Sequence, residues 1–194
     1  MNAVAKLTRP ENRPGLAALA TAEGLERALG APWLRIVDVR SDEPEDASAP
    51  RLRARDGARA ARSLAPIGAG GWLLPRDRFR PRSGPSERFT RGHVPGAAWL
   101  DVRAALFDEA GAVVSAPEVA LAMSGVGVGD EHTIVLVDDG SHARARAAAW
   151  VLTRSGCDRV VLLEGGFGHW SLERRPITTA IVRHPPASFT ARAL

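Results

Sequence analysis

Ile134-Val135-Leu136-Val137-Asp138-Asp139-Gly140-Ser141-His142 is the stretch whose reading decides the fold, and everything from Asp130 to Trp170 can be laid out around it. The run 134–137 is apolar at every position and β-branched at three, which suits a strand buried on both faces of a parallel sheet. After the polar turn, Ala143 to Ser155 is rich in Ala and Arg, with Ala147, Trp150, Val151 and Leu152 in helical register and Gly156 as the stop. Val160-Val161-Leu162-Leu163 repeats the buried-strand pattern. Glu164-Gly165-Gly166-Phe167-Gly168-His169-Trp170 then reads as a glycine-rich turn closed by an aromatic plug.

A helix that begins directly at the end of a strand collects unpaired backbone N–H groups and the positive end of the helix dipole. Such a loop can hold an anion, or lower the pKa of a thiol from about 8.5 by several units. The candidate anion-binding loop is therefore Asp138, Asp139, Gly140, Ser141, His142, Ala143 and Arg144, and the residue at the strand end, Asp138, decides its chemistry.

Working outward, Thr21 caps a helix through Leu25 and Leu29 to Gly30, and Trp33 to Arg40 is the next strand. Ala97-Ala98-Trp99-Leu100 makes a short strand after a Gly-His-Val-Pro-Gly turn. Ser115-Ala116-Pro117-Glu118 has capping-box spacing and starts a helix through Val119, Leu121 and Met123. Residues 1–20, with Pro10 and Pro14, read as an irregular leader. Residues 41–91 are a long insertion rich in Pro, Gly and Arg, and loops of that length are functional or disordered.

Three pieces of this chain resemble the rhodanese-like sulfurtransferases. They are Ile36-Val37-Asp38-Val39-Arg40 at a strand end, Arg91-Gly92-His93-Val94-Pro95-Gly96-Ala97-Ala98 in a turn, and Leu163-Glu164-Gly165-Gly166 with Trp170. Their order and separation match as well, with one enlarged loop, so the resemblance covers roughly Thr21 to Trp170. It implies an α/β fold: a single rhodanese-like domain over residues 21–175, built on a parallel sheet with helices on both faces. Active members carry a nucleophilic Cys at the position that falls on Asp138. A carboxylate cannot carry the persulfide sulfur that the family transfers, so the resemblance implies a sulfurtransferase-family domain without its nucleophile, a pseudoenzyme. Tandem members offer the parallel, since their N-terminal domain often has Asp there while the second domain carries the Cys. Residues 176–194 look similar to the connector between such domains. The partner implied is then a catalytic sulfurtransferase domain or chain, with a small thiosulfate-like anion as ligand.

Composition adds bounds. At 194 residues and 45% hydrophobic the chain suits one domain with extensions. Neither a secretory pattern nor a long apolar run is visible, so the expectation is a cytoplasmic protein without a membrane span. The formal charge of +4 comes almost wholly from Arg, since Lys6 is the only lysine. Nine of the Arg residues fall between Arg51 and Arg82, next to the acidic run Asp42, Glu43, Glu45 and Asp46. Mutual neutralisation in a loop explains this better than nucleic-acid binding, for which no recognised motif is present. A single Cys excludes an internal disulfide and an all-Cys metal site, and neither a metal nor a cofactor is expected.

The remaining candidates each have a plainer reading. Asp38 and Arg40 sit at the sheet edge where open α/β sheets bind ligands, and Arg40 either faces an anion or pairs with Asp38 or Asp138. His93 reads as a structural hydrogen bonder. His142, Arg144 and Arg146 line the loop or, for the arginines on an Ala-rich helix, form a solvated face. Cys157 follows the helix, which at about 13 residues spans roughly 20 Å, so it lies at the opposite sheet edge from Asp138 and cannot replace the nucleophile. Two other functions compete with the pseudoenzyme: an active thiosulfate sulfurtransferase with an unconventional sulfur carrier, and an Asp-based Mg²⁺-dependent phosphatase. The latter needs a residue between its two carboxylates, whereas Asp138 and Asp139 are adjacent and diverge in an extended chain.

Overall fold

The computed structural model describes residues 4–5, 19–43 and 84–192. In chain order the elements are β1 (Val4–Ala5), β2 (Leu19–Ala20), α1 (Ala22–Ala28), β3 (Leu34–Asp38), α2 (Glu87–Arg91), β4 (Ala97–Trp99), α3 (Val102–Leu106), α4 (Ala116–Gly125), β5 (Thr133–Val137), α5 (Ala143–Arg154), β6 (Val160–Leu163) and α6 (Gly166–Leu172). The strands form one parallel sheet in the order β1-β2-β6-β5-β3-β4.

The apolar runs read as doubly buried strands divide their side chains between two cores. Val37, Ile134, Leu136, Val160 and Leu162 face one layer, packed with α3, α4 and α5. Ile36, Val135, Val137, Val161 and Leu163 face the other, packed with α1, Phe89 of α2 and Trp170 of α6. This alternation is the period of two of a strand, and because both faces are covered no position needs to be polar. The α/β architecture with helices on both faces is therefore present.

Local chemistry sets the helix starts. The Thr21 hydroxyl accepts the Gly24 N–H at 3.1 Å, and the Ser86 hydroxyl accepts the Phe89 N–H at 3.2 Å. At α4 the Glu118 carboxylate accepts the Ser115 N–H at 2.9 Å, which is one arm of the expected capping box.

The leader reading needs correction at its end, and three other regions carry structure that the sequence reading left open. Leu19–Ala20, counted with the leader, is a strand in register with Leu162 and Leu163, and Val4–Ala5 pairs with it in turn. Residues 44–83 of the Arg-rich insertion lie outside the described residues, but its far end is the helix Glu87–Arg91. The glycine-rich turn after β6 passes straight into a helix, Gly166–Leu172, whose Trp170 is fully buried as the expected plug. The segment after residue 175 is laid along the domain with specific partners. Thr178 exchanges backbone hydrogen bonds with His93 at 2.9 and 3.0 Å, the Asp130 N–H donates to Ser188 O at 2.9 Å, and Arg192 N–H donates to Ser155 O at 2.8 Å. Phe189 is part of the core beneath α4 and α5.

Because Phe189 is buried, Phe189→Ala should cost about 3 kcal/mol of unfolding free energy in urea titration. A loss below about 1 kcal/mol would mean that the segment does not stay packed in solution.

Candidate functional site

The strand order creates one place where loops part. The chain leaves β3 toward β4 on one side, and leaves β5 toward β6 on the other. A crevice between the C-terminal ends of β3 and β5 follows, and open α/β sheets bind ligands at such a point. Arg40 after β3, Asp138 and Asp139 after β5, and Phe167 and Gly168 after β6 all meet there.

Asp138 stands just past the end of β5 with 1% of its surface exposed. Its Oδ1 accepts the Gly140 N–H at 2.9 Å and lies 3.3 Å from His142 Nδ1. Its Oδ2 is buried with no hydrogen-bond partner among the described residues. Burial pushes the carboxyl pKa above its ordinary value; the Gly140 amide, the His142 imidazole and the Ala145 amide oppose this, while Asp139 reinforces it. The expected cradle is thus filled by Asp138 but only partly satisfied by it. His142 enters α5 with φ 65°, a left-handed conformation that strains a non-glycine residue.

The β6 loop is pressed against this turn. A Cβ on Gly166, which has φ +59°, would stand 2.5 Å from Gly140 N and 2.6 Å from Asp138 O. The Phe167 N–H donates to Asp138 O at 2.7 Å. Glycine at 166 is therefore required by both conformation and space.

Asp38 and Arg40 pair with each other. Arg40 Nε donates to both carboxylate oxygens at 3.0 Å, and Nη2 donates to Asp38 Oδ2 at 2.7 Å and to Gly92 O at 2.8 Å. The guanidinium also stacks 3.8 Å over Phe167. Both residues are buried; burial raises the Asp38 pKa, and the Arg40 guanidinium and amide pull against it. Of the alternatives for Arg40, the pairing with Asp38 is the one realised.

The loop residues split into two groups. Asp138, Gly140 and His142 face inward. Asp139 faces outward, 3.5 Å from Arg88 Nη1, 3.8 Å from Arg144 Nη1 and 3.2 Å from the Ser141 hydroxyl. The two carboxylates therefore diverge. The Ala143 N–H donates to Ser141 Oγ at 3.3 Å. Arg144 corrects the solvated-face reading, since it is 4% exposed and donates to Glu43 O at 2.6 Å, while Arg146 is exposed. His93 makes the expected structural contacts, with Nδ1 2.8 Å from Phe89 O and Nε2 3.2 Å from Ala180 O. Arg88, Arg91, Phe167 and Gly168, which line a cleft of about 310 Å³ with Arg40 and Asp139, are additions to the site. The spacing of Arg88 and Arg91 ahead of Gly92-His93 was their one sequence signal, readable only once those residues are known to be helical.

Cys157 lies half-buried against the core at the other sheet edge. Burial pushes its thiol pKa up, and its charged neighbours Asp130, Asp158 and Arg159 precede β5 and β6. Among the described residues no group of three or more His, Cys, Asp or Glu side chains could hold a metal ion, and no helix is long and apolar enough to cross a membrane.

Comparison with known proteins places this geometry. The family profile described as the rhodanese-like domain matches residues 80–173. Residues 80–173 are a rhodanese-like domain. The chain is 31% identical over 102 residues to the sulfur carrier protein TtuD of Thermus thermophilus, covering 52% of this chain and 36% of that protein. It is 33% identical over 104 residues to a putative thiosulfate sulfurtransferase of Mycobacterium tuberculosis, covering 53% and 38%. This chain therefore spans under two-fifths of the length of these curated relatives. The crystal structure of the 3-mercaptopyruvate sulfurtransferase SseA from Escherichia coli superposes with a TM-score of 0.62 at 22% identity, over 91% of this chain and 55% of that one, which shows the rhodanese fold.

Two outcomes follow for this rhodanese-like domain. A raised folded-state pKa at Asp138 means that the native chain holds this proton more tightly than the unfolded chain does. The associated stability is full below the unfolded value of about 3.9 and is lost as pH rises through the folded value. Asp138→Asn should flatten this decline above about pH 4 and raise the urea midpoint at neutral pH relative to wild type. Asp38→Ala should instead cost about 3–5 kcal/mol, because it leaves the Arg40 charge buried without its partner.

Proposed function

We propose that this chain is a non-catalytic member of the sulfurtransferase family that acts by binding, as the companion of a catalytic sulfurtransferase domain or chain. The observation that carries the reading is the Asp138 carboxylate, buried at the end of β5 where active family members place the thiol. Sulfur transfer from thiosulfate needs a thiolate that attacks the outer sulfur, forms a persulfide and releases sulfite. A carboxylate oxygen cannot store sulfur in that way. The only thiol in the chain, Cys157, sits beyond the opposite edge of the sheet, with a pKa moved away from the thiolate form.

A companion role also has a surface to use. Leu172 is 83% exposed, and Ile177, Ile181 and Val182 are 45%, 53% and 42% exposed along the segment that leaves α6. Exposed large apolar side chains close together in the sequence favour a protein partner. The greater length of the relatives supports the same reading, with a second domain or a separate chain as the occupant.

Intact-protein mass spectrometry after incubation with thiosulfate tests the catalytic half of this reading, run on wild type and Cys157→Ser. The expected result is no mass gain in either. A stable one-sulfur adduct on wild type that disappears in Cys157→Ser would show that the chain carries sulfur through its only thiol, and the non-catalytic reading would fall.

A further inference from the structure

The segment that leaves α6 joins the core around Trp170 to the core that holds Phe189, and it is fastened more firmly at its ends than along its length. At its start, Trp170 Nε1–H donates to Pro176 O at 2.8 Å from a fully buried indole. At its far end, Phe189 is buried, and the Asp130 carboxylate accepts from the Thr190 N–H and hydroxyl at 2.8 and 2.7 Å. From Pro176 to Ser188 no residue is buried and no helix forms. The fastenings there are few. Thr178 exchanges its backbone hydrogen bonds with His93, His93 Nε2 meets Ala180 O, His184 packs on Gly127 with Nε2 2.9 Å from Gly96 O, and the Ala187 N–H reaches Ser124 O at a long 3.4 Å. A stretch with exposed backbone and few buried contacts opens locally, well below the free energy of global unfolding.

One side chain of this stretch reaches the wall of the crevice. Ile177 rests on Gly92, where a Cβ would stand 2.8 Å from Ile177 Cγ2 and 4.0 Å from Phe167 Cζ. Gly92 O in turn accepts from Arg40 Nη2 at 2.8 Å, and the Arg40 guanidinium stacks 3.8 Å over Phe167. Gly92 has no side chain with which to hold its own place. Its position therefore depends on what packs against it, and close-packed groups pass a displacement on to their neighbours.

We propose that residues 176–188 form a strap that lifts while its ends stay fixed, and that Ile177 is the positioning residue through which the seated strap holds Gly92, Arg40 and Phe167 together. Lifting the strap withdraws Ile177 from Gly92 and loosens the Arg40–Phe167 wall. The identity of what lifts it rests on the companion reading above, in which a partner meets the exposed Ile181 and Val182. The hold of the strap on the wall does not need that partner.

Native-state hydrogen exchange of the full chain, followed by NMR, tests this with three probes. The His93 N–H, which donates to Thr178 O, reports the strap; Arg40 Nε–H reports the wall; the amides of β5 report the whole domain. In wild type the His93 N–H should exchange faster than the β5 amides. The Thr178→Pro, His184→Ala double variant leaves the wall residues intact and should speed exchange at both His93 N–H and Arg40 Nε–H by about threefold or more, with the β5 amides unchanged. Ile177→Ala should speed Arg40 Nε–H likewise, and at a half-exposed position it carries the test if the double variant does not fold. An Arg40 rate that stays at its wild-type value in either variant would overturn the proposal. So would β5 amides that exchange in step with His93, since the segment would then open only when the whole domain unfolds.

Discussion

Two carboxylates buried side by side at the end of a parallel sheet are the constraint around which this site is built. Asp38 pairs in register with Val137, so Asp138 emerges one step beyond it on the adjacent strand. A sheet covered on both faces offers little water there, and each charge must find compensation from protein groups. The two are treated differently. Asp38 receives a whole opposite charge, the Arg40 guanidinium, whose remaining contacts tie in Gly92 and Phe167. Asp138 receives partial charges, from amides at the start of α5 and from His142. The β3 loop is clamped to the turn before β4, whereas the β5 and β6 loops are pressed together through Gly140 and Gly166.

The central unit was legible in the sequence because its signals are local and strong. Apolar runs of four residues bounded by polar turns admit little besides buried strands, and Ser115 to Glu118 carries its own cap. The position of Asp138 was legible too, since a strand end followed by an Ala-rich helix fixes which residue occupies the turn. Likewise the placement of Cys157 needed only the length of α5.

What escaped the sequence depends on partners far along the chain. Leu19–Ala20 has two residues and no periodicity, and is a strand only because β6 offers it a ladder. α2 is five residues long, below the length at which a helix stands alone, and is held by Asp42 at its start and by burial of Phe89. Arg144 looked like a surface residue of an Ala-rich helix, because nothing local indicates that the backbone at Glu43 arrives to receive it. The cleft depends on long-range placement as well. It needs α2 to be helical, Arg40 to be consumed elsewhere and Asp139 to turn away from Asp138.

The same loop clarifies what replacing a thiol by a carboxylate does. Amides converging at the start of a helix would favour a thiolate over a thiol, and they favour the Asp138 carboxylate over its acid for the same reason. Burial acts in the opposite direction and is the larger effect on Asp138. A carboxylate whose Oδ1 accepts from an amide while its Oδ2 has no hydrogen-bond partner among the described residues is thus a reluctant anion. An external anion approaching this inner turn would add a further charge to a space that already under-compensates the resident one.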